Sequence, residues 1–310
     1  TTSFWDCGEF IACSYILGIP HPPGAPLYLL LGRIFSLIPL AADIGLRVNI
    51  ISAVTTALSI MFTYLIIVQL IKLWRGVPQK IEDYILKYSA GVIGALALAF
   101  SDSVWFNAVE AEVYAISLFF TAIVVWLILV WNEKADNPES DKYLLFIAYC
   151  VGLAIGVHLL NILALPAVFL IIYFRKYRFD IGSFLLFSVA SVLILIGIYP
   201  GVVKWIPNLA LTLSGWFFLL IVLALLTAVY YFIKTKNRTV SVILISFFLV
   251  LMGTSTYGMI YIRSNLDPAI DENDPEDLGK FVSYLNREQY GDWSYIERRA
   301  PLWEYQIKKM

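Results

Sequence analysis

The chain has 310 residues, 60% of them apolar and 15% charged, with a formal net charge of −1. Soluble domains average roughly 45–50% apolar and about 25% charged residues, and here the apolar excess falls in runs of about 20 residues, the hydrocarbon thickness of a bilayer, so an ordinary soluble fold is excluded. The near-zero charge and the lack of a Lys/Arg stripe interleaved with aromatic residues exclude a nucleic-acid partner, while Cys7, Cys13 and Cys150 form no CxxC pair and His21 and His158 are too few for a zinc-like cluster.

Residues 1–44 are semi-polar and predict two short helices, about 5–17 and 26–38, joined by Gly18-Ile19-Pro20-His21-Pro22-Pro23-Gly24-Ala25. The N-terminus lacks the basic start and apolar stretch of a signal peptide, so a preceding segment is expected to carry the chain into the membrane. A transmembrane helical domain is expected over 45–262, with about eight spans near 45–72, 88–101, 110–131, 143–157, 160–174, 181–203, 209–233 and 239–262. One set of alternate loops holds twelve Lys and Arg residues, from Lys72 to Arg238, and the opposite set holds three, Arg33, Arg47 and Lys204. Basic residues near span ends stay on the cytoplasmic side, which puts residues 1–44, the turn near 101–110 and the tail, 263–310, outside. From residue 265 the tail carries ten acids and six bases with many aromatic residues, and is expected to begin a larger domain.

Four constellations could carry chemistry, all on the predicted outer face. In Phe4-Trp5-Asp6-Cys7-Gly8-Glu9 the acids are three apart and share a helix face, suited to activating a hydroxyl and binding its surroundings. A capping box over Ser3-x-x-Asp6 would explain Asp6 alone and leave Glu9 over. His21 precedes two prolines that fix φ and stiffen its stalk, which suits contact with a phosphate or a sugar hydroxyl; a rigid turn ahead of Pro26 at a helix start explains the same residues. The stretch from Ser101 to Tyr114, with Trp105, Glu110 and Glu112, is a polar break between apolar spans, where acids are costly unless they face water or a partner. A cap at Asn107-x-x-Glu110 would leave Glu112 unexplained. His158 and Asn161 share a helix face and read more readily as interhelical hydrogen-bonding groups supporting the site. Arg33, Arg47 and Arg263 could meet a phosphate bidentately or snorkel to headgroups.

The stretches FWDCGEFIACSYILGIPHPPGAPLYLLLGRIFSL, LRVNIISA, FSDSVWFNAVEAEVYA, GVHLLNILALPA and NREQYGDW resemble a bacterial family of large multispanning proteins related to an animal protein O-mannosyltransferase. Such members usually have a membrane helix before the WDCGEF-like motif and an extended C-terminal region. The resemblance implies an all-α polytopic type C glycosyltransferase of the bacterial inner membrane, with its active site on the extracytoplasmic face. It implies a polyprenyl-phosphate sugar as donor, no cofactor or metal, and inverting transfer of a mannose-like sugar to a hydroxyl of an exported protein. The family's acidic pair and HPP stretch fall on Asp6, Glu9 and His21-Pro22-Pro23. The family's acids are commonly adjacent, whereas Cys7 and Gly8 intervene here, so the role of Glu9 is less secure than that of Asp6. With these and the other outer-face residues, the expected roles are Asp6 as general base with Glu9 beside it, Arg47 with His21 and Arg263 on the donor phosphate, and Trp105, Glu110, Glu112, His158 and Asn161 around acceptor or sugar. Rival readings are a lipid or glycan acceptor, and a transporter or flippase of lipid-linked sugars; the near absence of charge in spans 209–233 and 239–262 favours the enzyme.

Overall fold

The computed structural model describes residues 5–213 and 215–291. Among them every regular element is a helix, which is what lipid demands of a chain that must satisfy its backbone internally. In chain order these are α1 Cys7–Ile16, α2 Pro26–Leu37, α3 Ile44–Arg75, α4 Ile81–Ala99, α5 Asp102–Ala108, α6 Val113–Lys134, α7 Asp141–Ile155, α8 Leu165–Lys176, α9 Ile181–Ile196, α10 Ile206–Thr212, α11 Gly215–Lys234, α12 Arg238–Thr254, α13 Gly258–Ser264 and α14 Leu278–Asn286. The two short N-terminal helices lie where the sequence expects them. Starts are fixed by local side chains: Asp43 accepts from the Gly45 and Leu46 amides at α3, and Asn237 accepts from Val240 at α12.

The chain is an integral membrane protein. Among the described residues four helices are long and apolar enough to cross a bilayer, Ile44–Arg75, Val113–Lys134, Leu159–Lys176 and Arg238–Ser264, or five if α4 and α5, bent by 66°, count as one broken span. The expected count of eight is not reproduced. Each expected segment does contain a helix, but α7 is only 15 residues long, and α9 passes into a π-helical turn over Gly197–Trp205. Hydropathy registers an apolar run whether or not one uninterrupted helix occupies it.

The core centres on α6, where Ile116, Phe120, Val124, Leu127, Ile128 and Trp131 recur at helical spacing and are all buried. Helix α3 packs along one side and α7 along another, and α7 pairs closely with α12. At that second crossing a Cβ on Gly152 would lie 2.4 Å from the Val250 carbonyl oxygen, so only a residue without a side chain permits the approach.

The molecule has two chemically different ends. At one, Lys72 pairs with Glu133, Arg175 with Asp136, and Arg238 with Asp141, the last through Nη2 at 2.8 Å. The first two pairs tie the C-terminal ends of α3 and α8 to the end of α6, and the third ties the start of α12 to the start of α7, which gathers the lysine- and arginine-rich loops. Each is solvent-exposed and stabilises by at most about 1 kcal/mol. The opposite end is reached by the 22 residues of α6, a length of about 33 Å.

At that opposite end the segment after α13 folds back on the first loop. Ile19 donates its amide to the Ile270 carbonyl at 2.8 Å, and the Glu272 amide donates to Ile19 at 3.1 Å, forming an isolated parallel bridge. Tyr284, 1% exposed, donates its hydroxyl to the Pro20 carbonyl at 2.6 Å. The segment up to residue 291 is therefore integrated with the first loop.

Candidate functional site

Asp6 occupies the N-cap position of α1, and its side chain makes no capping hydrogen bond. It thus stands one residue before the first turn expected of it, and capping does not account for its carboxylate; Ser3, the expected cap, lies outside the described residues. Glu9, in the first turn, reaches across to His21. One of its oxygens accepts the His21 backbone N–H at 2.7 Å, and the other lies 2.6 Å from Nδ1. An ionised Glu9 fixes the Nδ1 proton and leaves Nε2 turned to the other acid, 3.8 Å from Asp6 Oδ2. Helix α1 and the turn after it bring these three residues into one cluster.

The bend that delivers His21 is tightly held. Gly24 has φ +91° and donates its amide to the His21 carbonyl at 3.0 Å. A Cβ there would sit 2.5 Å from the Tyr284 hydroxyl, so the left-handed backbone and the close approach both require glycine. The His21 ring packs against Phe10, with centroids 5.8 Å apart.

Glu112 closes the cluster from below. It is 4% exposed, caps α6 by accepting the Val113 amide at 3.2 Å, and also accepts the Asp6 backbone N–H. Burial, then the negative charges of Asp6 and Glu110, push its carboxyl up to about 7, against the lowering effect of those two amides. From the folded-back segment Glu272 hydrogen-bonds to Glu9, and partial burial with the Glu9 charge raises its carboxyl above the usual range. Four acids and one histidine thus share this corner.

Beside it opens a cavity of about 740 Å³. Its polar part is lined by Asp6, His21, Tyr114, His158 and Arg287; its apolar part by Leu160, Leu163, Pro166, Leu195 and Ile196. His158 Nδ1 accepts the Leu160 amide at 3.2 Å, which leaves Nε2 as the N–H donor of a neutral ring. Burial, and secondarily the Arg287 charge, hold His158 below the usual histidine range and so keep it neutral. Asn161, buried, donates to the His158 carbonyl at 3.0 Å and accepts from Thr121 at 2.8 Å. It positions His158 and does not line the cavity.

The remaining residues singled out from sequence lie elsewhere. Glu110 sits in the turn before Glu112, its carboxyl raised by desolvation. Trp105 is 57% exposed and stacks on Phe100 at 5.8 Å, outside the cavity lining. Arg47 donates to the Ala41 and Ser36 carbonyls, tying the end of α2 to the start of α3. Arg263 donates to the Leu17 and Ile16 carbonyls at the end of α1. Both guanidiniums are engaged by backbone and neither lines the cavity. Arg287 does, and sequence reasoning missed it; its only signal is its place in the NREQYGDW stretch, whose last two residues lie outside the described residues. Asp6, Glu9 and His21 could also hold a metal, since each offers one ligand atom and all three lie within 4.8 Å of one another.

The family model described as the protein O-mannosyl-transferase TMEM260 N-terminal domain matches residues 6–180, which include Asp6, Glu9, His21, Glu112 and His158. The chain belongs to this family. The protein O-mannosyl-transferase tmem260 of Dictyostelium discoideum is 27% identical over 140 residues, covering 44% of this chain and 15% of that protein. The protein O-mannosyl-transferase TMEM260 of Mus musculus is 25% identical over 151 residues, covering 48% of this chain and 19% of that protein. The match therefore spans less than a fifth of either relative. No solved structure matches the chain.

Proposed function

We propose that this chain is the catalytic membrane part of a protein O-mannosyl-transferase, moving a mannose-like sugar from polyprenyl phosphate to a hydroxyl of an exported protein. One observation carries the reading: the Asp6–His21–Glu9 cluster opens into a cavity whose other wall is apolar, a shape that accepts a reactive headgroup at one end and an isoprenoid chain along the other. The names of the two relatives point the same way.

In this reaction the acceptor oxygen attacks the anomeric carbon while its proton passes to the Asp6 carboxylate. The bond from that carbon to the phosphate oxygen breaks on the opposite face, so the configuration inverts and polyprenyl phosphate leaves with one more negative charge. Glu9 holds His21, whose Nε2 faces Asp6 and the sugar. No metal takes part; phosphate charge is met by protein donors. A phosphate role for Arg47 or Arg263 would require their carbonyl contacts to open. The site end faces outward and the ion-paired end faces the cytoplasm of a bacterial inner membrane, following the loop charges.

The test uses the purified full-length protein in lipid with a radiolabelled polyprenyl-phosphate mannose and a hydroxyl-bearing peptide. Label on the peptide, undiminished by a chelator, is the expected result. Label that crosses the membrane still joined to its lipid would instead mark a flippase.

A further inference from the structure

We infer that Arg287, with His158 beside it, forms the subsite for the phosphate of a lipid-linked substrate. This rests on the proposed sugar-transfer reading for the identity of the ligand, and on geometry for the site itself. Among the described residues, the arginines closest to the first loop each donate to protein oxygens: Arg33 to the Tyr15 carbonyl, Arg47 to Ala41 and Ser36, Arg263 to Leu17 and Ile16. Arg287 lines the cavity, and its guanidinium contact is the face of Tyr290, 5.0 Å to the ring centroid. Among the described residues no acceptor takes a hydrogen bond from its guanidinium, whose donors can meet an anion in the cavity, and a guanidinium matches the paired oxygens of a phosphate.

The surrounding chemistry is arranged for the same ligand. Arg287 acts electrostatically on His158, whose Nε2–H is left as a donor by the Nδ1 contact to Leu160. The apolar wall begins in the same segment, at Leu160 and Leu163, and continues to Leu195 and Ile196. A phosphate between Arg287 and His158 would thus have its isoprenoid chain on that wall and its sugar toward Asp6 and His21. The carboxylates of Asp6 and Glu9 would repel a phosphate from their own corner, which separates the anion subsite from the base. Arg287 holds φ 62° at the C-terminal cap of α14, where glycine is the usual residue.

The experiment measures binding of a short polyprenyl phosphate and of the matching prenol to the full-length protein in nanodiscs, alongside transfer. Arg287→Gln should weaken polyprenyl-phosphate binding by on the order of 10-fold to 100-fold, as expected for losing a charged hydrogen bond, with prenol binding unchanged and Arg287→Lys partly restoring it. In transfer assays the loss should appear in kcat as well as KM, since phosphate charge grows as the sugar leaves. Equal phosphate affinity in wild type and Arg287→Gln, with both proteins melting alike, would overturn the inference. If binding depends on Arg287 but no sugar is transferred by wild type, the subsite stands and the transferase reading fails. If Asp6→Asn abolishes transfer while Arg287→Gln leaves phosphate binding and transfer intact, the reverse holds.

Discussion

Asp6 and Glu9 are both carboxylates on α1, yet their surroundings give them different work. Glu9 holds His21 through two contacts and also meets Glu272, while Asp6, half-exposed beside the cavity, makes no capping bond and faces the His21 Nε2, 3.8 Å away. Glu9→Gln should weaken the hold on His21 and lower transfer about 10-fold, the worth of a charge-assisted hydrogen bond, as read from kcat of the purified protein. Glu112 gives a pH prediction. Its folded carboxyl is raised from 4.5 to about 7, so the native state keeps a proton that the unfolded chain has lost, and stability falls as pH rises from about 4.5 through 7. Glu112→Gln should remove that slope, raising Tm at pH 8 relative to pH 6 when the two proteins are melted side by side in detergent. The i, i+3 spacing of Asp6 and Glu9 was legible in sequence. The Glu9–His21 bond was not, because it depends on how the Gly18–Ala25 turn folds, and Arg287 was not, because its place in the cavity depends on a contact between residues near 20 and near 271.

At the level of elements, the turn carrying His21 is braced by the Tyr284 hydroxyl on Pro20 and by the absence of a side chain at Gly24. Gly24→Ala combines a positive φ with a 2.5 Å approach to that hydroxyl, and should cost more than the roughly 1 kcal/mol of the backbone term alone. Tyr284→Phe removes one hydrogen bond and should cost about 1–3 kcal/mol by leaving the buried Pro20 carbonyl unpaired. Thermal melts of each variant beside wild type in one detergent check the two losses. The short helices of residues 1–44 and the position of every apolar segment were readable from periodicity and Pro/Gly punctuation. The span count was not, because hydropathy marks an apolar run without showing how much of it one straight helix occupies: among the described residues α7 has 15 residues and α9 has 16 before the π-helical turn.

For the molecule as a whole, the cluster at one end and the ion pairs at the other are a helix length of about 33 Å apart, close to the thickness of a bilayer's hydrocarbon core. The native cysteines Cys7, Cys13 and Cys150 are all buried, which gives topology labelling a low background. A membrane-impermeant thiol reagent should reach Glu276→Cys in intact cells and Lys80→Cys only after permeabilisation; the opposite pattern would place the cavity on the cytoplasmic side. The central claim is that Asp6 takes the acceptor's proton, and it is tested most directly by transfer from polyprenyl-phosphate mannose to a hydroxyl peptide with purified full-length wild-type and Asp6→Asn proteins. The account predicts a loss of about 10²–10⁴-fold in Asp6→Asn with donor binding retained. Transfer by Asp6→Asn at more than roughly a tenth of the wild-type rate would contradict it, since losing a general base costs at least about 100-fold.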